Sequence, residues 1–155
     1  MYQEVIGDLF DSDAMTLVNT VNCVGVMGKG IALEFKRRFP DMYQHCRLIC
    51  QQGTLRPGQI LPYRKSHPWI LNFAVKDHWR HASRMEWINS CLIKFTASYK
   101  TMGITSAAFP WIGAKNGWLP FDQIRDCMRL HLSQLADIDI VVYTYSKDRH
   151  LINIV

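Results

Sequence analysis

Two stretches of this chain join an apolar run to a glycine-bearing loop, and a lysine closes a third apolar run. The first stretch is Asn19-Thr-Val-Asn-Cys-Val-Gly-Val-Met-Gly-Lys-Gly-Ile31. Glycines at 25, 28 and 30 let the backbone take positive φ and approach a ligand closely. A helix opening at once behind them turns unpaired amides toward an anion, so the loop suits phosphate. Asn19 and Asn22, where the run ends, are candidates to hydrogen-bond ribose hydroxyls. The spacing is not that of a P-loop, because Ile31 follows Lys29-Gly30 where a Mg²⁺-binding hydroxyl would stand, nor is it a G-x-G-x-x-G after the first strand. The second stretch, Phe109-Pro-Trp-Ile-Gly-Ala-Lys-Asn-Gly-Trp-Leu119, repeats the layout, with a helix after Pro120. Ligands in open α/β sheets lie beyond the carboxyl ends of the strands, so two such loops on neighbouring strands would enclose a diphosphate from both sides. Each loop taken alone is also compatible with a plain structural turn.

Lys76 follows the apolar run Trp69-Ile-Leu-Asn-Phe-Ala-Val. An amine in a low local dielectric has a lowered pKa and becomes a nucleophile. A lysine at a strand end is as readily a solvated one, and the residues alone leave both readings open. Behind it comes His78-Trp79-Arg80-His81. A tryptophan flanked by cations can stack a base and neutralise phosphate; it can equally pack beneath the lysine loop with the cations in solvent.

The elements that must position these groups alternate strand and helix, which predicts an α/β protein of three layers, α/β/α, with a mixed, mostly parallel central sheet. Strands are expected over 2–6, 15–21, 58–63, 69–75, 104–109 and 138–145. Helices are expected from Gly28–Gly30 to Phe39, from 41 to 52 behind the break at Pro40, from a cap at Ser83 to Gly103, and over 120–135. The third carries Trp87, Cys91, Leu92, Phe95 and Tyr99 at helical spacing. A length of 155 residues suits one domain over 1–155. The 48% hydrophobic share is enough for a packed core and argues against disorder. No apolar run reaches the roughly 18–20 residues of a membrane span, and the opening Met-Tyr-Gln-Glu-Val-Ile-Gly-Asp lacks the basic flank of a signal peptide, so a cytoplasmic location and no membrane partner are expected. Five cysteines without a C-x-x-C pair read as reduced thiols, and neither a metal nor a cofactor is expected. A net charge of +5 modestly favours a polyanionic partner.

The run from Asn19 through Lys36 resembles the first ligand loop of macrodomains, most of all those of the DarG type, the antitoxins of DarT DNA ADP-ribosyltransferases. Lys76-Asp-His-Trp-Arg80 is similar to that group's Lys-x-His-Trp-Arg element, and Pro110-Trp-Ile-Gly to its second loop. The resemblance implies a macrodomain that binds ADP-ribose and removes it from modified nucleic acid, thymidine-linked single-stranded DNA, reversing a DarT-like toxin. Residue by residue, it implies that Asp8 contacts adenine, with backbone contacts from Leu9 or its neighbour. It implies that Gly25, Val26, Met27, Gly28, Lys29, Gly30 and Ile31 hold the diphosphate through their amides, and that Asn22 orients the distal ribose. Pro110, Trp111, Ile112, Gly113, Ala114, Lys115, Asn116 and Gly117 would form the facing wall, and Tyr145 would line the adenosine side. Lys76 would be catalytic, attacking the anomeric carbon, expelling the base and passing through an imine that water resolves, with Asp77 or His78 as candidate proton shuttles. His78, Trp79 and Arg80 would touch nucleic acid. The second loop departs from the family's Gly-Cys-Gly pattern: Lys115 and Trp118 are bulkier, and the loop has no acid. Two other readings are a reader of ADP-ribose without turnover and a hydrolase of a small derivative such as ADP-ribose 1''-phosphate or O-acetyl-ADP-ribose.

Overall fold

A computed structural model describes residues 1–152, so the last three residues of the expected 1–155 domain lie outside the described residues. Six strands, β1 (Tyr2–Ile6), β2 (Thr16–Asn22), β3 (Ile60–Tyr63), β4 (Trp69–Lys76), β5 (Ser106–Pro110) and β6 (Asp139–Thr144), form one sheet in the order β1-β6-β5-β2-β4-β3. Every pairing is parallel except β3 with β4. Parallel strands need crossovers, and the helices that make them cover both faces. This is why β2 and β4 are buried at nearly every position and read as unbroken apolar runs rather than alternating ones.

On one face, α3 (Met85–Ser98) and α4 (Phe121–Leu132) lay Ile88, Leu92 and Phe95, and Ile124, Met128 and Leu132, over Val18, Phe73, Phe109 and Val142. Phe109 meets Phe73 and Phe95 edge-on, with ring centroids 5.8 and 5.2 Å away. On the other face, α1 (Gly30–Arg38) and α2 (Pro40–Gln51) bury Phe35, Met42 and Cys46 against Leu17, Val21, Ile70 and Ala108. Each such side chain contributes roughly 1.5–3 kcal/mol of burial, and the two clusters fix the three layers.

The expected elements are all present, with shifted ends. Pro40 does separate α1 from α2, but it joins α2 as a first-turn residue, where a missing N–H costs nothing. Ser83 does not cap α3: Arg84 holds the cap position without a side-chain bond, and Ser83 is used elsewhere. Two 3-10 turns, Leu9–Asp11 and Ser146–Leu151, were not expected. Among the described residues no helix is long and apolar enough to cross a membrane. All five cysteines are free, and burial pushes the Cys23 and Cys91 thiols up to about 12, so neither is a nucleophile at neutral pH.

Candidate functional site

The carboxyl ends of β1, β6, β5, β2 and β4 stand side by side, and each delivers one part of a single cleft of about 960 Å³. Asp8 follows β1, Tyr145 follows β6, the 110–119 loop follows β5, the 23–29 loop follows β2, and Lys76 closes β4. Four strand spacings separate the first from the last, about 19 Å, a span for an extended ligand with a diphosphate at its middle.

The first loop is organised by Asn22. Its Oδ1 accepts from the amides of Val24, Gly25 and Val26 at 3.1, 2.9 and 3.3 Å, and its Nδ2 donates to the Val26 carbonyl at 2.8 Å. The amides of Gly25 and Val26 therefore point at Asn22, and Val26 lines the cleft while Gly25 does not. Gly25 is needed for another reason. Its φ is +88°, and a Cβ there would stand 3.1 Å from Cα of Arg47 and 3.2 Å from Cβ of Cys50 in α2. Met27 is in the core against α1 and α2. The cradle thus narrows to Gly28–Ala32, where α1 starts without a side-chain cap at Lys29 and its first-turn amides are open to an anion.

Asn19 does not reach the cleft. It is fully buried, opposite Asn72 in the sheet, with Nδ2 donating to Asn72 Oδ1 at 3.0 Å; Asn72 in turn donates to the Leu61 carbonyl at 3.2 Å. Three residues short of the strand end, an inward side chain meets the α1–α2 layer and not the ligand side. Leu9 and Ile112 are fully buried as well, as apolar anchors of their turns, and Phe10 is the neighbour of Leu9 that lines the cleft.

At the β1–β6 end, Asp8 spends one oxygen on the Phe10 amide at 2.9 Å and faces the cleft with Phe10, Tyr143 and Tyr145. Burial, then the carboxylates of Asp8 and Glu34, push the Tyr145 hydroxyl up to about 12, so it stays a neutral donor. The 110–119 wall is built on backbone closeness. Trp111 donates its indole N–H to Thr144 Oγ1 at 2.7 Å, tying β5 to β6. A Cβ on Gly117 would lie 2.8 Å from Cα and 2.9 Å from the carbonyl carbon of Gly113, so the loop closes on itself only with glycine there. Asn116 touches the first loop: a Cβ on Gly30 would fall 2.6 Å from its Nδ2. Lys115 reaches across to Asp148 at 3.2 Å. Pro110, Gly113 and Ala114 line the cleft with them.

Lys76 lies where β2 and β4 slip register at Val21/Asn22, so that the last residue of β4 stands across from Asn22, and its side chain lines the cleft. The residue is 8% exposed. Its Nζ sits 3.5 Å from the Trp79 carbonyl and 4.6 Å from the centroid of the Trp118 ring. Burial, and secondarily the charge of Lys29, lower its pKa below the ordinary lysine value. Ser83 holds this corner together. Its Oγ donates to the Val75 carbonyl, beside Lys76, while its amide donates to the Gly117 carbonyl at 3.0 Å, beside Trp118. The following turn is self-contained: Asp77 accepts from the His78 amide at 2.7 Å and lies 3.2 Å from Nδ1 of His81. Burial alone would raise the Asp77 carboxyl, but these bonds hold it below its usual value, so it is a base and not an acid at neutral pH. His78 Nδ1 accepts from the Arg80 amide at 3.0 Å, which leaves Nε2 as its protonated nitrogen. Trp79 lines the cleft; His78 and Arg80 lie beside it, outside the lining. Among the described residues no three His, Cys, Asp or Glu side chains gather into a metal set.

Several lining residues escaped the sequence reading. Glu34 and Arg38 follow the expected Gly30 at four-residue spacing on one helix face, and Tyr143 shares a face with Tyr145 by strand alternation, so both signals were there to read. Lys147, Asp148 and Leu151 come from a 3-10 turn with no sequence signature.

The profile of the Macro domain family matches residues 18–128. Over 147 residues the chain is 40% identical to a DNA ADP-ribosyl glycohydrolase of Thermus aquaticus, covering 92% of this chain and 41% of that protein. It superposes on the macrodomain of Thermus aquaticus DarG with a TM-score of 0.87 at 39% identity, covering 93% of this chain and 98% of that one. It superposes on Thermosipho africanus DarTG in complex with ADP-ribose with a TM-score of 0.87 at 34% identity, covering 92% of this chain and 41% of that one. The chain spans about two fifths of the length of the glycohydrolase it matches.

Proposed function

The chain belongs to the Macro domain family, and from that premise we propose that it removes ADP-ribose from a base of single-stranded DNA, with Lys76 as the nucleophile. ADP-ribose lies along the five strand ends. Adenine is at Asp8 and Tyr145, the diphosphate on the amides of Gly28–Ala32, and the distal ribose beside Asn22 and Lys76. The observation that carries this reading is the amine of Lys76 at one end of the cleft, buried, beside the Trp118 ring, and with its charged form disfavoured.

The neutral amine attacks the anomeric carbon with its lone pair. The bond from that carbon to the base nitrogen breaks, its electrons stay on the base, and the base takes up a proton. The attached nitrogen loses its own proton, the sugar ring opens to an imine, and water adds to the imine carbon and returns the amine of Lys76 with free ADP-ribose. Asp77 and His78, in the turn that follows Lys76, are the candidate proton shuttles. The names of the similar proteins support a DNA substrate, and the source of the modification is then a DarT-like transferase. Trp79 and Arg80 border the lysine end of the cleft and suit a single strand, whose phosphates pair with cations.

The test is Lys76→Ala on an ADP-ribosylated single-stranded oligonucleotide. Release of ADP-ribose falls at least about a thousandfold while ADP-ribose affinity by calorimetry stays within a few-fold, because a nucleophile acts mainly on the transition state. In the parent, turnover rises with pH, with a midpoint below the ordinary lysine value, because burial disfavours the charged amine. Full activity in the variant would move the chemistry to a water molecule, and an inactive parent would leave a binding module.

A further inference from the structure

Trp118 is the one non-glycine residue with positive φ among the described residues, at +58°. A left-handed backbone at a bulky residue is strained by about 1–3 kcal/mol and persists only where its surroundings impose it. The surroundings here are specific. Ser83 pins the Gly117 carbonyl, the Trp118 amide donates to the Lys115 carbonyl at 3.3 Å, and Gly117 is pressed against Gly113. The result is a large apolar ring left 63% exposed at the cleft mouth, against the normal tendency to bury it. Its recorded ring partner is the Lys76 ammonium, 4.6 Å from the centroid.

Trp79, the other indole at this end, is already engaged. His78 stacks on it with centroids 5.3 Å apart and planes at 29°, and the Arg80 guanidinium lies 4.7 Å from its centroid. No other aromatic ring among the described residues pairs with Trp118. Of the two indoles bordering the amine, it is the one without an aromatic neighbour.

Resting on the glycohydrolase reading above, we propose that Trp118 is the specificity-determining residue for the leaving group: its indole stacks on the nucleobase joined to ADP-ribose. A base attached to the carbon that Lys76 attacks must lie within a few ångströms of Nζ, in the volume this ring borders. The arriving base takes the place of the Lys76 side chain against the ring. Stacking does not read the edge of a base, so the site selects a planar ring as leaving group and not a particular hydrogen-bond pattern.

The experiment compares the parent, Trp118→Gly and Trp118→Phe on an oligonucleotide carrying ADP-ribose on thymidine and on 1''-O-acetyl-ADP-ribose, whose acetate leaves the same anomeric carbon and cannot stack. Glycine suits the left-handed backbone, so this variant melts no lower than the parent. Its kcat/KM on the oligonucleotide falls roughly ten- to a hundredfold, the range of one lost base–aromatic stack, while turnover of the acetyl ester and the affinity for free ADP-ribose change less than about threefold. Trp118→Phe restores most of the loss. Parental or faster turnover of the oligonucleotide by Trp118→Gly overturns the proposal, and if Lys76→Ala is inactive in the same assay the glycohydrolase reading survives that failure. An equal loss on both substrates also overturns it, since the ring then serves the lysine and not the base. If the parent itself is inactive on the oligonucleotide, the glycohydrolase reading fails instead. Anisotropy of the ADP-ribosylated against the unmodified oligonucleotide then decides the stack alone: it requires a weaker preference in Trp118→Gly, and an unchanged preference rejects it.

Discussion

Replacing Asn22 by alanine removes four hydrogen bonds at once: three amides of the 24–26 turn lose their acceptor and the Val26 carbonyl loses its donor. At about 1 kcal/mol net per bond the ceiling is about 4 kcal/mol. Val24 and Val26 are each 40% exposed, so water reaches part of this turn and replaces some of the bonds. A loss of about 2 kcal/mol remains, which for a chain of this size lowers Tm by about 4–8 °C. The turn leads directly into Gly28–Ala32, so a loosened turn must be ordered again by the ligand. ADP-ribose affinity then falls roughly tenfold or more, by the share of molecules whose cradle is formed. Thermal denaturation and calorimetry on the same sample read both quantities. A variant with unchanged Tm and lost affinity would make Asn22 a ligand contact and not the organiser of the loop. Unchanged Tm with unchanged affinity would refute both roles.

Two further outcomes are expected. Gly117→Ala drives a Cβ into the Gly113 backbone, so the 110–119 loop must open, at about 1–3 kcal/mol. Oligonucleotide turnover falls more than ADP-ribose affinity, and equal turnover in the two proteins would show that the closed loop is dispensable. Lys76→Met keeps the volume of the side chain and removes its charge. In the parent the folded amine has a lowered pKa, so between that value and the ordinary lysine value the unfolded chain holds more protons and stability rises with pH. The methionine variant lacks that rise: it melts higher than the parent at neutral pH, and the gap narrows as pH climbs through the window. Parallel Tm–pH curves would mean that Lys76 is as well solvated folded as unfolded.

The sequence made the chemistry more legible than its orientation. The two glycine loops and Lys76 could be found because the signals are local: an apolar run, a glycine, a helix start. Asn19 and Asn22 differ by three positions on one strand, and nothing local says that the first looks into the α1–α2 layer while the second ends in the turn. Gly25 carries the glycine signal for packing on α2, and Gly28 and Gly30 carry it at the cleft; only the position of α2 separates them. Ser83 has the composition of a helix cap, but its partners are 8 and 34 residues away in the chain, which no local pattern reveals. The rim from Lys147 to Leu151 was invisible because a 3-10 turn has no periodicity long enough to detect.

The misread Asn19 has a consequence of its own. Its pairing with Asn72 at 3.0 Å lies within the sheet, three residues before the end of β2, beside the apolar cluster packed under α1 and α2. If β4 slid by two residues along β2, faces would be kept and apolar side chains would still meet apolar side chains. Both amides, however, would be stranded, at about 1–3 kcal/mol each. Three positions further along β2, after the one-residue slip at Val21/Asn22, Lys76 stands across from Asn22, so the pairing below the slip also sets where the nucleophile arrives. The amide pair therefore acts as an indexing pin: a misaligned sheet, which greasy contacts alone would tolerate, is penalised before the nucleophile can be set against the wrong residue of the loop.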